Sequence, residues 1–585
     1  MRKDVNVWAG KTVSSVADGY EAFVLAQIAN AKKPVLYIAS DGVSLAQTAA
    51  MLRFLHPEYE VLEFPAWDTV PYDRVSPNSA LSAKRIETLA KIVFYEGKAP
   101  LVVVTSIGAV LQKLAPAKIF RNARKLVKVG EKLDFDSFLH YVSLNGYTRV
   151  EQVMEPGEYA VRGDITDIFP SGMDNPLRID LFDDEVERLR IFDAVSQRTI
   201  GDLQQYEFQV ASEVLLDANT IRNFREQYRE LFGADGLHDE IYEAISNGQK
   251  YIGMENWLPL FYSDVLPTFF DYLPNAQVVA GKNTEEALKS KTEGIADYYE
   301  ARLEALQVKS KNDTEAYRPL PPEKLYMSAA DFTAKLEERQ ATFLTPLTVS
   351  ANDNVIELKT IPGRDFAHAR HISSAAVYEE LRDYVAENGK LKRIVCCYAE
   401  GSRERLRSLM ADYDIKNTAL ADTWAEALQI CAQKKIALVI AELAHGFRDD
   451  EYCLISEQDI LGERQHRKVK KASSKDFIAD VSSLSVGELV VHIEHGIGRF
   501  LGLENIMAGG APHDCLKIVY AHDDKLFVPV ENIDVISRYG SDDENVQLDV
   551  LGGAAWQAKK AKVKAKIKDI AEKLKISVRQ VQRLK

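Results

Sequence analysis

The run Val35-Leu36-Tyr37-Ile38-Ala39 is short, apolar throughout, and bounded by Pro34 and by Ser40-Asp41-Gly42. Such a run reads as a strand buried on both faces and closed by a turn. Leu101-Val102-Val103-Val104 is a second, and between them Ile86, Leu89, Ala90 and Val93 recur at helical spacing. Buried strand alternating with helix predicts a parallel sheet with crossover helices. At 585 residues the chain is too long for one hydrophobic core, so roughly four domains of about 100–200 residues are expected.

The texture changes near residue 130. Glu158 to Ile165 and Leu177 to Phe182 alternate at period two, as in an antiparallel sheet. A domain is expected at 129–213, inserted between an α/β domain at 1–128 and a mixed region at 214–345. Residues 350–456 read as a further α/β unit, with Arg393 to Tyr398 and Ile436 to Ile440 as its buried strands. A basic linker at 457–480 then leads to a compact block at 481–545. There Leu516, Ile518 and Tyr520 alternate, as do Leu526, Val528 and Val530, which predicts a small SH3/Tudor-like β-barrel. A Lys/Ala-rich helix is expected within 546–585. The fold class is therefore multidomain: α/β domains, an α+β insertion, a further α/β domain, and a small barrel followed by a helix.

Hydrophobic residues make up 46 % and charged residues 27 %, the balance of a folded soluble chain. No apolar run approaches the roughly 20 residues that cross a bilayer, and Met1 to Trp8 lacks a secretory apolar stretch. Cys396, Cys397, Cys431, Cys453 and Cys515 are too irregularly spaced for a disulfide framework or zinc ribbon, so a cytoplasmic, reducing compartment is expected. The net charge of −14 argues against bulk coating of nucleic acid. Yet Lys559 to Lys585 holds eleven Lys and Arg against Asp569 and Glu572, a local +9. A second basic cluster spans Arg464 to Lys475. Both read as solvated segments or as segments that lie near DNA.

Several motifs fail on inspection. Gly10-Lys11-Thr12 resembles the tail of a phosphate loop, but the required earlier glycine is Val5. Asp183-Asp184-Glu185 resembles an acidic box but reads better as a hairpin turn. His492, His495, His513, Cys515 and His522 match no zinc spacing. Residue types and spacings alone argue for no catalytic site.

Two features resist a packing explanation. Alternation puts Ile179 and Leu181 on one face of their strand and Arg178, Asp180 and Phe182 on the other. A large aromatic beside an arginine on a polar face is an interface pattern. The strand Leu501 to Met507 carries more apolar residues than a small barrel can bury, and Gly509-Gly510 leaves its edge accessible to an added strand.

Phe64 to Asp73, Gly157 to Gly163, Ile168-Phe169-Pro170 and Arg178 to Glu185 resemble the bacterial transcription-repair coupling factor family, whose N-terminal module is similar to excinuclease component B. Val491 to Phe500, Lys525 to Val530 and Ile536 to Tyr539 resemble that family's RNA-polymerase-interacting domain. The resemblance runs to about residue 575. It implies helicase-like α/β domains that have lost the phosphate loop.

The resemblance also implies function. Family members recognise stalled RNA polymerase, move it by ATP-driven translocation, and recruit excinuclease component A for nucleotide excision repair. Family residues that contact this component match Arg162, Arg178 and Phe182. A family residue needed for the polymerase β subunit matches Ile506, with Leu503, Asn505 and Met507 beside it. The motor motifs are missing from this sequence, so the expected entity is the non-motor half, with no cofactor of its own. ATP and magnesium belong to the motor of full-length members, as does most DNA contact. A monomer is expected. The alternatives are a stand-alone polymerase-binding transcription regulator and a working helicase or nuclease.

Overall fold

The computed structural model describes residues 7–29, 33–263, 265–308, 317–350, 352–462, 489–492, 495–508, 511–529, 536–538 and 548–550. The chain divides into two compact units, Met1–Gly462 and Glu463–Lys585. The basic cluster Arg464 to Lys475 and, apart from 548–550, the basic helix expected within 546–585 lie outside the described residues.

In the first unit, Val35–Ala39 and Leu101–Ser106 are adjacent, fully buried parallel strands. They belong to a seven-stranded sheet that also contains Thr12–Ser14, Glu60–Phe64, Gln277–Ala280, Thr342–Leu344 and Val355–Glu357. All its strand pairings are parallel. Strands from both sides of the insertion therefore complete one sheet. Val355–Glu357, expected in the following domain, pairs with Thr12–Ser14 instead.

The insertion forms a six-stranded sheet in the order Thr199–Leu203, Glu185–Phe192, Leu177–Phe182, Ile165–Ile168, Glu158–Arg162, Thr148–Arg149. Pairing is antiparallel except at the last edge. The stretch 158–165, expected as one strand, is a hairpin broken at Gly163-Asp164. Gly163 has φ +60, and a two-residue turn preserves the alternation on either side, which hides it from periodicity. Asp183-Asp184 is the next hairpin turn, as its sequence predicts. Phe138 and Val142 of the helix Phe135–Leu144 fill the core with Ile168, Leu177, Ile179, Val186, Leu189 and Phe208.

The third sheet runs Ile361–Pro362, Phe447–Arg448, Tyr452–Ser456, Lys392–Cys397, Ile436–Ile440, Thr418–Leu420. Its core merges with that of the first sheet. Tyr20, just before the helix Glu21–Ile28, and Phe23, on it, meet Phe447 at ring distances of 5.0 and 5.4 Å. Phe23 also meets Trp424 at 5.8 Å, and the Tyr20 hydroxyl donates to Asp449 at 2.8 Å. Residues 457–461, expected as the start of a linker, are helical instead. Glu457–Leu461 is a helix whose Glu457 and Asp459 are buried, accepting from the Tyr398 N–H and the Gly446 N–H.

Among the described residues, the second unit contains five antiparallel strands in the order Lys525–Pro529, Ala511–Val519, Gly496–Ala508, Leu489–His492, Ile536–Arg538. A Cβ on Gly498 would lie 2.5 Å from Ile518, so only glycine fits where these strands cross. Asp549, buried, accepts from the Ile497 N–H at 2.9 Å.

Candidate functional site

Register assembles the insertion's outer face. Arg162 pairs with Ile165, Ile165 with Asp180, and Asp180 with Arg188, so these four form one row across the sheet. Two residues along each strand, Asp167, Arg178 and Arg190 form the adjoining row. Phe182 continues the same face beyond Asp180. Arg178 and Phe182 thus share one face, as alternation predicts, and register adds Arg162 to it.

Their surroundings differ. Phe182 is 76 % exposed, a full aromatic ring presented to solvent. Arg162 is exposed, and its guanidinium donates to the Glu151 carbonyl at 3.1 Å. Arg178 is tightly held: Nε and Nη2 donate to the two oxygens of Asp167 at 2.6 and 2.8 Å, and its guanidinium lies 4.5 Å over the Phe192 ring. The bond to Asp167 pushes the Arg178 guanidinium's pKa further up. Arg190 makes a second fork to Asp180, both bonds 2.6 Å. Val153, Ala160 and Phe169 form a small buried cluster of their own in this domain. Residue types alone mark Arg178 and Phe182 but not Asp167, because a partner on a neighbouring strand is set by register, which the sequence does not display.

The long strand Gly496–Ala508 carries the second group. Leu503 pairs with Leu516, Asn505 with Asp514, Ile506 with His513 and Met507 with Pro512. On its other edge the strand pairs with Leu489–His492 only through 496–499. Among the described residues, 500–508 therefore has one edge without a strand neighbour. The side chains of Leu503, Asn505, Ile506 and Met507 lie outside the described residues, as does Gly509-Gly510.

Asp41 caps the helix Gly42–Leu55, and one of its oxygens accepts from the Val43 and Ser44 N–H groups, each at 2.8 Å. Beside it is a cavity of about 250 Å³ lined by Asp18, Glu21, Thr48, Glu442 and His445. Lys282 bonds both Asp18 and Glu21, at 2.7 and 2.8 Å. Lys11, from the failed phosphate-loop match, reaches Asn354 at 3.4 Å. Among the described residues no group of three His, Cys, Asp or Glu is placed to hold a metal. His492 and His495 stack on each other at 4.6 Å.

Three domain models match the chain. The UvrB interaction domain covers 126–213, the MFD D3 domain 386–460, and the CarD-like/TRCF RID domain 484–540. The transcription-repair-coupling factor of Rickettsia bellii is 32 % identical over 545 residues, spanning 93 % of this chain and 47 % of its own length. That of Escherichia coli is 32 % identical over 525 residues, spanning 88 % and 44 %. The chain is similar to transcription-repair-coupling factors along nearly its whole length. The more distant Bacillus subtilis factor, 27 % identical over 578 residues, spans 93 % of the chain and 46 % of itself. The chain therefore spans about half the length of the transcription-repair-coupling factors it matches. Arg162, Arg178 and Phe182 fall in the UvrB interaction match, and Leu503 to Met507 fall in the RID match.

Proposed function

We propose that this chain is the non-motor half of a transcription-repair coupling factor. The strand Gly496–Ala508 binds the β subunit of stalled RNA polymerase, with Leu503, Asn505, Ile506 and Met507 as its contacts, in an SH3/Tudor-like barrel. The Arg162/Arg178/Phe182 face recruits excinuclease component A for transcription-coupled nucleotide excision repair. The observation that carries this reading is the presence of a UvrB interaction domain and a TRCF RID domain on one chain. The edge at 500–508, without a strand neighbour among the described residues, suits an added strand, and the exposed Phe182 suits a hydrophobic anchor.

The chain works as a cytoplasmic monomer that holds two partners and performs no chemistry. ATP, magnesium and most DNA contact belong to the motor of full-length relatives. Among the described residues no helix is long and apolar enough to cross a membrane. The test is a titration of labelled RNA polymerase core enzyme with the wild-type chain and Ile506→Arg. Binding by the first alone, at unchanged melting temperature, is the expected result. Equal binding by both, or ATP hydrolysis with DNA present, would overturn the reading.

A further inference from the structure

We infer that Asp167 is a positioning residue for partner binding: its buried fork holds the Arg178 guanidinium so that Nη1 meets a carboxylate on the partner. This rests on the reading that the face docks excinuclease component A.

Asp167 is 1 % exposed and gives both carboxylate oxygens to Arg178, one to Nε and one to Nη2. Gln197 Oε1 takes a further hydrogen of Nη2 at 3.4 Å, and Phe192 closes one side of the plane at 4.5 Å. A guanidinium is planar, with five N–H donors in fixed directions. Occupying Nε and Nη2 therefore fixes where the two Nη1 hydrogens point. Nη1 has no acceptor among the described residues, and it is not among the buried unpaired atoms, so it reaches solvent.

The arrangement presents one oriented donor pair beside the exposed Arg162 and Phe182. The chemistry it fits is a carboxylate next to an apolar recess wide enough for a phenyl ring. Asp167 contributes by orienting Arg178 before the partner arrives, which removes a rotamer cost from binding.

A competing role predicts the opposite sign. If Asp167 occupied Arg178 at the partner's expense, removing its charge would free the guanidinium and tighten the complex. The experiment titrates labelled excinuclease component A with the full chain as wild type, Asp167→Asn, Arg178→Ala, the double variant, and Phe182→Ala. Positioning predicts about tenfold weaker binding for Asp167→Asn and no further loss when it is added to Arg178→Ala, because coupled neighbours are non-additive. Phe192→Leu, which removes the ring under the guanidinium, serves if Asp167→Asn melts early, and it too must weaken binding. Unchanged or tighter binding by Asp167→Asn, with Arg178→Ala and Phe182→Ala weakened, overturns the inference alone, as does full additivity. No loss from either Arg178→Ala or Phe182→Ala overturns the docking reading and the inference with it.

Discussion

Arg85 and Glu213 form a buried ion pair across 128 residues of chain, with Nε 2.7 Å from Oε1 and Nη2 3.3 Å from Oε2. Arg85 Nη1 donates to the Pro65 carbonyl at 2.9 Å, and the guanidinium lies 4.3 Å over Phe64 and 5.4 Å over Trp67. One side chain thus ties the Phe64-Pro65-Ala66-Trp67 motif to the chain leaving the insertion. Arg85→Ala strands the Glu213 carboxylate and is expected to cost about 3–5 kcal/mol in urea unfolding. The double variant Arg85→Met/Glu213→Leu is expected to recover most of that loss, because it removes both charges together.

Phe447 is fully buried where the first and third sheets share their core. Phe447→Ala removes ring contacts to Tyr20 and Phe23. It is expected to destabilise by about 3–5 kcal/mol. In hydrogen exchange, protection should fall on both sheets together. Loss confined to residues 361–456 would mean that the two cores melt independently.

Burial pushes the Asp41 carboxyl up, but bonds from Ser44, Ser40 and Val43 outweigh it and hold its pKa below the usual carboxylate value. A folded pKa lowered in this way gives stability that is present above the unfolded value, near 4, and lost as pH falls through the lower folded value. Asp41→Ala is expected to cost about 1 kcal/mol at neutral pH. The difference from wild type should shrink below pH 4, as read by thermal melting across pH. A difference independent of pH would mean that the carboxylate charge is immaterial to the cap.

Burial pushes the Cys396 thiol up to about 12 and raises Cys397, Cys431 and Cys453 as well. Thiolate is the reactive form. These four cysteines are expected to resist maleimide at pH 7.5 in the native chain and to react in denaturant, as counted by mass spectrometry. Rapid native labelling at any of the four would place that residue outside the core described above.

Local order is what can be read directly from the residues. Val35–Ala39, Leu101–Ser106 and the alternating Leu177–Phe182 are legible because burial on two faces or one imposes a period on neighbouring residues. The shared face of Arg178 and Phe182 follows from the same period, and the motifs spanning 64–185 and 491–539 carried the family. Tertiary structure alone decided the rest. It brought Glu213 under Arg85, joined Val355–Glu357 to Thr12–Ser14, fused two cores through Tyr20 and Phe23, and set Asp167 behind Arg178. Each is a contact between segments separated in the chain, and neither periodicity nor local propensity encodes which other segment a side chain will meet.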